Sequence, residues 1–167
     1  NYRPGTIVFS KDDPGQTCFI ILEGLIKIYV TSEDGQEVVL SILKAGEVFG
    51  ELSLLDGVPR SASAIAMETT RALALNRGDF LEFVRETPEA AMAVLSVLSG
   101  RLRHADATIT DAAFLDLPTR VAKKLLELSE GFGRKVGPVV EINIKLRQQD
   151  FAAMVSATRE SVNRSLS

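Results

Sequence analysis

The sequence has very few of the side chains that bind metals or form cross-links. Its 167 residues include one cysteine, one histidine and no tryptophan. A single cysteine, Cys18, excludes an intrachain disulfide, a four-cysteine zinc site and a fully cysteine-ligated iron–sulfur cluster. A single histidine, His104, excludes the multi-histidine metal sites of many small barrel enzymes. We therefore expect no metal site, and a reducing cytoplasmic setting.

Long apolar runs are also missing. No run approaches the ~20 residues that a membrane span needs, and no signal-peptide pattern opens the chain. The composition, 46% hydrophobic and 25% charged, is that of an ordinary globular protein. The opening residues 1–5 have the character of a domain interior, so we expect the natural N-terminus to be absent from this sequence.

The charges are segregated along the chain, although the net charge is only −3. Residues 1–117 contain 10 Lys and Arg against 17 Asp and Glu, a net −7. Residues 118–167 contain 9 against 5, a net +4. A basic C-terminal segment indicates contact with an anion such as nucleic acid, although surface charge also segregates without function.

Short β-rich runs separated by turn signals fill the first half of the chain. Examples are residues 6–9, 18–22 and 38–43, with turn signals at 12–15 and 33–36. Strands at this spacing predict a sandwich or barrel rather than a βαβ fold. Cys18 lies in one of these runs and is expected to be a small core residue.

From Pro88 onward the periodicity is that of a helix. Apolar residues recur at alternating intervals of three and four, the spacing of a heptad seam. The seam consists of Leu95, Leu98, Leu102, Ala105, Ile109 and Ala112. This pattern fits an amphipathic helix lying on the barrel, and it fits a two-stranded dimer helix at least as well.

The C-terminal segment contains the signals of several further elements. Asp116 and Pro118 predict the N-cap and first turn of a helix, which Gly131 is expected to end. Residues 139–144 are predicted to form a strand. The segment 148–166 has the spacing of two helices joined by a short turn.

The turn of this predicted helix-turn-helix has identifiable signals. Residues 156–158 form the turn, and Thr158 is placed to cap the second helix. If Ser156 adopts a left-handed conformation, the cost is about 1 kcal/mol, which a short polar residue tolerates.

The segment with the most specific pattern is Gly50-Glu51-Leu52 followed by Pro59-Arg60-Ser61. Glycine lets a backbone approach a ligand closely, and a short helix starting there directs N–H groups at an anion. Arg60 supplies a charged fork for a phosphate, with the Ser61 hydroxyl beside it. Glu51 can accept hydrogen bonds from sugar hydroxyls. The alternative is an ordinary Glu–Arg ion pair on a loop.

These residues resemble the phosphate-binding cassette of cyclic-nucleotide-binding domains. The C-terminal residues 149–164 resemble the DNA-reading motif of the bacterial CRP/FNR family of transcription regulators. Both motifs occur in the order and spacing of that family. The resemblance extends from Tyr2 to Ser167. We expect this sequence to lack the family's first structural elements and the wing that follows the reading helix.

The resemblance implies an α+β protein with three parts. They are an N-terminal, jelly-roll-like β-roll that binds a cyclic nucleotide (1–91), a long dimerisation helix (92–116) and a C-terminal winged helix-turn-helix without its wing (117–167). It implies a ligand-gated regulator that forms a homodimer through residues 92–113. A protein of this kind is expected to have no catalytic site, and no cofactor apart from its nucleotide effector. The expected partners are palindromic double-stranded DNA and RNA polymerase, and no membrane.

The resemblance also implies roles for individual residues. Glu51 would bind the ribose 2′-hydroxyl and Arg60 the cyclic phosphate. Ser61 and the backbone of Gly50–Leu52 would complete the phosphate site. In the second motif the DNA-binding residues are Thr158, Arg159, Glu160 and Arg164, the last three at base-reading positions.

One departure leaves the effector base open. The family members that respond to cAMP have a Thr-Ser pair on the long helix, where this sequence has Ala105 and Asp106. A carboxylate at position 106 can pair with the adenine amino group or with guanine N1–H and N2–H₂. We expect cAMP first and cGMP second. The alternatives are another effector or none, or a nucleotide-binding module that does not bind DNA.

Overall fold

Apolar and polar side chains alternate along the N-terminal strands, which lets two antiparallel sheets enclose one core. A computed structural model describes residues 1–166, so residue 167 of the predicted DNA-binding domain lies outside it. The strands are β1 (Ile7–Phe9), β2 (Thr17–Glu23), β3 (Ile26–Thr31), β4 (Glu37–Leu43), β5 (Val48–Phe49), β6 (Ser63–Ala66) and β7 (Arg71–Asn76). One sheet has the order β1-β6-β3-β4 and the other β5-β2-β7.

The β-roll core receives side chains from both sheets. Its buried members are Phe19, Ile21, Ile26, Leu43, Phe49, Ala64 and Ala66. Strand β2 is covered on both faces, because Phe19 and Ile21 point into this core while Cys18 packs with Leu54 and Phe80 on the other side. Cys18 is 1% exposed, which confirms its expected place as a core residue.

Two short helices belong to the same unit. Helix α1 (Leu52–Asp56) begins inside the cassette, as predicted. Helix α2 (Arg77–Glu86) was not expected from the sequence pattern. Its N-cap is Asn76, whose side-chain oxygen accepts a 3.0 Å hydrogen bond from the backbone N–H of Asp79.

The long helix α3 spans Pro88–Phe114 and leaves its apolar seam open. In the described part of the chain no residue of α3 is buried. Leu95, Leu102 and Ile109 are 56%, 63% and 68% exposed. An ordinary amphipathic helix hides such residues within its own chain, so the seam is a surface that a partner helix could cover.

The chain divides into two compact units, residues 1–100 and a second unit that begins at Arg101. The second contains α4 (Leu117–Phe132), the strands β8 (Gly133–Val136) and β9 (Val139–Ile142), and the helices α5 (Gln148–Met154) and α6 (Arg159–Leu166). Its core consists of Val121, Leu128, Phe151, Ala152, Val155 and Val162. Within residues 1–166, no helix has the length and apolarity to cross a bilayer.

Two details of this unit differ from the sequence-based expectation. Helix α4 continues past Gly131 to Phe132, and Gly133 is the residue at its end. The predicted strand 139–144 ends at Ile142 and pairs with an unpredicted strand, β8, to form a hairpin. The sequence between Gly131 and Pro138 is rich in turn residues, and cross-strand pairing overrides that local preference.

Candidate functional site

Arg60 is a buried charged side chain of the predicted cassette, with 5% exposure, and Glu51 is buried slightly more deeply. Its Nη1 donates a 2.7 Å hydrogen bond to the carbonyl of Gly50, and its Nη2 donates a 2.6 Å bond to the carbonyl of Thr17. The guanidinium carbon lies 4.2 Å from the centre of the Phe9 ring. A guanidinium has five N–H groups, so these two bonds leave three others. One of them, on Nε, is buried and has no hydrogen-bond partner within residues 1–166.

Glycines let the backbone come close to this arginine. Gly50 has φ +78°, and a Cβ built there would lie 2.7 Å from the Nη1 atom of Arg60. A Cβ built on Gly15 would lie 2.2 Å from the Cβ of Ser53 and 3.2 Å from the guanidinium carbon of Arg60. A side chain at either position would therefore displace the cassette or its arginine.

The main chain also fixes the position of Arg60. Its N–H donates to the carbonyl of Asp13 and its carbonyl accepts from the N–H of Asp12, both at 2.9 Å. The loop that precedes β2 is thereby tied to the residue that carries the charge. Arg60 is therefore fixed at both ends, its backbone by the loop before β2 and its guanidinium by the carbonyls of Gly50 and Thr17.

The electrostatics of the cassette reflect burial. Loss of solvent lowers the pKa of Arg60, an effect opposed by the acidic groups of Cys18, Asp13 and Glu51. An arginine keeps its charge at physiological pH in any case. Burial also raises the pKa of the Cys18 thiol to about 11, so this cysteine is a neutral packing group rather than a reactive thiolate.

The other predicted ligand residues differ in exposure. Glu51, at the N-cap of α1, is 3% exposed, while Leu52 is 39% exposed. Ser61 is exposed beside Arg60. Asp106 lies on α3 within the second compact unit and is exposed, so its role toward a nucleotide base stays a prediction.

In the second unit, the turn between α5 and α6 has the local signals that the sequence predicted. Ser156 has φ +50°, in the left-handed region. The N–H of Ala157 donates to the carbonyl of Ala152 at 3.0 Å, and the N–H of Ser161 donates to Oγ1 of Thr158 at 3.2 Å. Thr158 therefore caps α6. From α4, Nη1 of Arg120 donates to the carbonyl of Val155 at 2.9 Å and braces the turn.

Helix α6 buries one side and exposes the other. Val162 packs in the core of the unit, whereas Arg159, Glu160 and Arg164 are exposed. The Nε–H of Arg159 donates to the side-chain oxygen of Gln148 at 2.8 Å. This bond leaves the two terminal nitrogens of Arg159 for a bidentate contact with another group.

Comparisons with known proteins give the family. The pattern described as "Cyclic nucleotide-binding domain" matches residues 1–87, and the "Crp-like helix-turn-helix domain" matches residues 119–167. The CRP-like cAMP-activated global transcriptional regulator of Mycobacterium tuberculosis is 37% identical over 99% of this chain and 74% of its own length. This chain belongs to the CRP family of transcription regulators.

A further relative supports the assignment to the CRP family, and a solved structure shows the same fold. The cyclic AMP receptor protein of Thermus thermophilus is 38% identical over 99% of this chain and 73% of its own length. The solved structure of the c-di-GMP responsive regulator CLP of Xanthomonas campestris superimposes with a TM-score of 0.83, covering 99% of this chain and 82% of that one. At 23% identity this second likeness shows the shared fold alone.

The CRP-family motifs identified the cassette and the reading helix in the sequence, but not the residues that surround them. Phe9 and Thr17 contact the guanidinium of Arg60 and belong to no motif read from the sequence. Gln148 likewise reaches Arg159 from eleven residues away.

Proposed function

We propose that this CRP-family chain is a transcription regulator gated by a cyclic nucleotide, with cAMP the first candidate effector and cGMP the second. The observation that supports this most directly is the burial of the charged Arg60 side chain in the cassette. Burying a charged side chain to 5% exposure costs free energy unless hydrogen bonds and opposite charges compensate for its lost hydration. Its two bonds to main-chain carbonyls leave one N–H on each terminal nitrogen, and a phosphate oxygen could accept from these.

The proposed contacts assign one role to each cassette residue. Arg60 pairs with the cyclic phosphate, and the Ser61 hydroxyl and the backbone from Gly50 to Leu52 donate to its remaining oxygens. Glu51 accepts from the ribose 2′-hydroxyl. These roles suit the chemistry of each group, since a carboxylate accepts hydrogen bonds while a guanidinium and a hydroxyl donate them.

We further propose that two copies associate through the seam of α3. The exposed leucines of that helix recur at heptad spacing, which suits a two-stranded coiled coil. A dimer would present two α6 helices to successive major grooves, about 34 Å apart, on a palindromic site. Effector binding then favours the form of the dimer in which the two helices match that spacing.

In the DNA complex, Arg159 and Arg164 form forks with guanine O6 and N7, and Glu160 accepts from cytosine N4. Thr158 holds the first turn of the reading helix through its cap. Lys145 is exposed and suits a phosphate contact, whereas Arg147 is engaged with Asp150 at 2.8 and 3.2 Å. The regulator would act on RNA polymerase at the promoter, in the cytoplasm.

Asp106 is the residue that favours a second candidate effector. An acceptor at this position of α3 suits the two donors of guanine as well as the adenine amino group. We therefore test cAMP and cGMP side by side by isothermal titration calorimetry on the wild-type protein. Saturable binding of one of them at micromolar concentration is expected. Failure of both would overturn the cyclic-nucleotide effector and leave another ligand or none.

DNA binding is tested separately, with the same protein. Selection from random double-stranded DNA is expected to enrich a palindrome with half-sites one helical turn apart, more strongly with the effector present. Enrichment of no sequence would favour a nucleotide-binding module that does not read DNA.

A further inference from the structure

The guanidinium of Arg60 closes one end of a cluster of stacked phenylalanines inside the β-roll. Phe9 and Phe19 stack with ring centres 6.2 Å apart, and Phe19 and Phe49 stack at 5.1 Å. Phe9 also lies 5.9 Å from Phe49 at a tilt of 31°. Arg60 lies over the ring of Phe9, its central carbon 4.2 Å from the ring centre.

The ring and the carbonyls constrain the arginine in complementary ways. The carbonyls of Gly50 and Thr17 accept from the terminal nitrogens Nη1 and Nη2, at 2.7 and 2.6 Å. The ring of Phe9 contacts the guanidinium separately from these hydrogen bonds. Its face carries partial negative charge, which attracts the cation. A buried cation has lost its hydration, so the attraction to a ring face is stronger here than at an exposed site. An aliphatic side chain of similar size offers no such face.

We propose that Phe9 is a positioning residue of the effector site, one that holds the guanidinium of Arg60 in the orientation that receives the ligand phosphate. This role rests on the proposed function of the cassette. Phe9 need not touch the ligand, since it acts through Arg60. Aromatic contact prepares the charge before the ligand arrives, so that less ordering remains when it binds.

The contact itself is tested without any ligand. A nitrogen-15 NMR spectrum follows the Nε–H signal of Arg60, assigned by its loss in Arg60→Gln. We expect an upfield ring-current shift and slow exchange with water, because the Nε–H is buried and belongs to a guanidinium whose central carbon lies over an aromatic face. The shift should persist in Phe9→Tyr and disappear in Phe9→Leu. An unshifted, rapidly exchanging signal in the wild-type protein would overturn the role of Phe9.

The consequence for binding is tested by calorimetry with cAMP and cGMP. Phe9→Leu is expected to weaken binding by about tenfold, with Phe9→Tyr restoring most of it. Phe83→Leu is the matched control, because Phe83 lies on α2 with 55% exposure. It should leave binding unchanged. In the Arg60→Gln background, Phe9→Leu should cause no further loss.

These outcomes separate the two proposals. Equal losses from Phe9→Leu in the wild-type and Arg60→Gln backgrounds would overturn the positioning role, because Phe9 would then act independently of the arginine. Weak binding by both Phe9→Tyr and Phe9→Leu would also overturn it. Failure of the wild-type protein to bind either nucleotide would overturn the proposed effector, while the shifted Nε–H signal would still establish that Phe9 holds the guanidinium.

Discussion

The two candidate sites of this chain hold their arginines in opposite ways. Arg60 is 5% exposed, fixed by two backbone carbonyls and the ring of Phe9. Arg159 and Arg164 are exposed on α6, where Arg159 donates one N–H to Gln148. A buried, prearranged charge suits a small ligand that fits one pocket. Exposed, adjustable charges suit a long polyanion that offers many phosphates and base edges.

This difference predicts where function and stability are coupled. Arg60 donates to main-chain carbonyls of two separate segments, so its removal affects the fold as well as the ligand. Helix α6 is held by Val162 and the cap of Thr158, and its exposed Arg159, Glu160 and Arg164 lie outside that core. Substitution of Arg60 is therefore expected to change stability and binding together, and substitution of the exposed side chains of α6 to change binding alone.

The largest effect is expected for Arg60→Leu. Loss of a charge-assisted phosphate contact weakens nucleotide binding by about 1.5–3 kcal/mol, tenfold to more than a hundredfold. The carbonyls of Gly50 and Thr17 also lose their donor, which lowers the free energy of unfolding by about 1–3 kcal/mol. Calorimetry and denaturant titration measure the two quantities.

Arg71→Leu is the control for that experiment. Arg71 forms a 2.7 Å ion pair with Glu23, and both side chains are more than half exposed. Exposed pairs contribute about 0–1 kcal/mol, so both quantities should hardly move. Unchanged nucleotide affinity in Arg60→Leu would show that the ligand binds elsewhere.

Leu102→Glu tests a third kind of surface, one that is exposed in the single chain but proposed to be covered by a second copy. Two carboxylates brought face to face across a coiled-coil seam cost several kcal/mol. We expect a dimer for the wild-type protein and a monomer for this variant in light scattering. Ser99→Glu, also on α3 but off the seam, should remain dimeric. A monomeric wild-type protein at micromolar concentration would contradict the proposed seam.

Arg159→Ala tests whether an exposed residue of α6 contributes to DNA binding without contributing to the stability of the fold. Loss of a bidentate base contact should cost about 1–3 kcal/mol of DNA affinity and relax the preference at one base pair per half-site. Unfolding free energy should change by no more than about 0.5 kcal/mol. Site selection from random DNA and denaturant titration provide both readouts.

Lys145→Ala sharpens that result. A phosphate contact contributes to every sequence alike, so this variant should weaken all sites and reduce the salt slope by about one unit. An unaltered site preference in Arg159→Ala would show that this residue reads no base, and its assigned role would be withdrawn.

The smallest effect concerns a charged helix cap, whose contribution to the stability of the fold depends on pH. The hydrogen bonds from Thr119 hold the pKa of Asp116, the cap of α4, below its usual range. A lowered pKa in the folded state stabilises the protein above the unfolded pKa, and this contribution is lost as pH falls through the folded value. The loss of stability in Asp116→Ala should therefore be present at neutral pH and vanish in acid. Thr158→Ala, which removes the neutral hydroxyl cap of α6, should show no such pH dependence.

Much of the second unit was predictable because its signals are local. The Asp116 cap, the left-handed Ser156 and the Thr158 cap each depend on contacts between residues two to five positions apart. Helix α2 was missed although Asn76 is a good cap, because its short apolar pattern is weak. Strand β8 was missed because its sequence resembles a turn and only pairing with β9 makes it a strand.

The sequence alone determined the β-rich and helical halves, most of the turns, the apolar seam of α3 and the motifs that mark both sites. These follow from side-chain periodicity, capping and backbone preference, which act over a few neighbouring residues. Tertiary structure decided how the cassette arginine is held. Thr17 is 43 positions from Arg60 and meets it through strand pairing and the stacked core that places Phe9 below the guanidinium. Contacts between such distant residues depend on strand register and core packing, which no local pattern in the chain encodes.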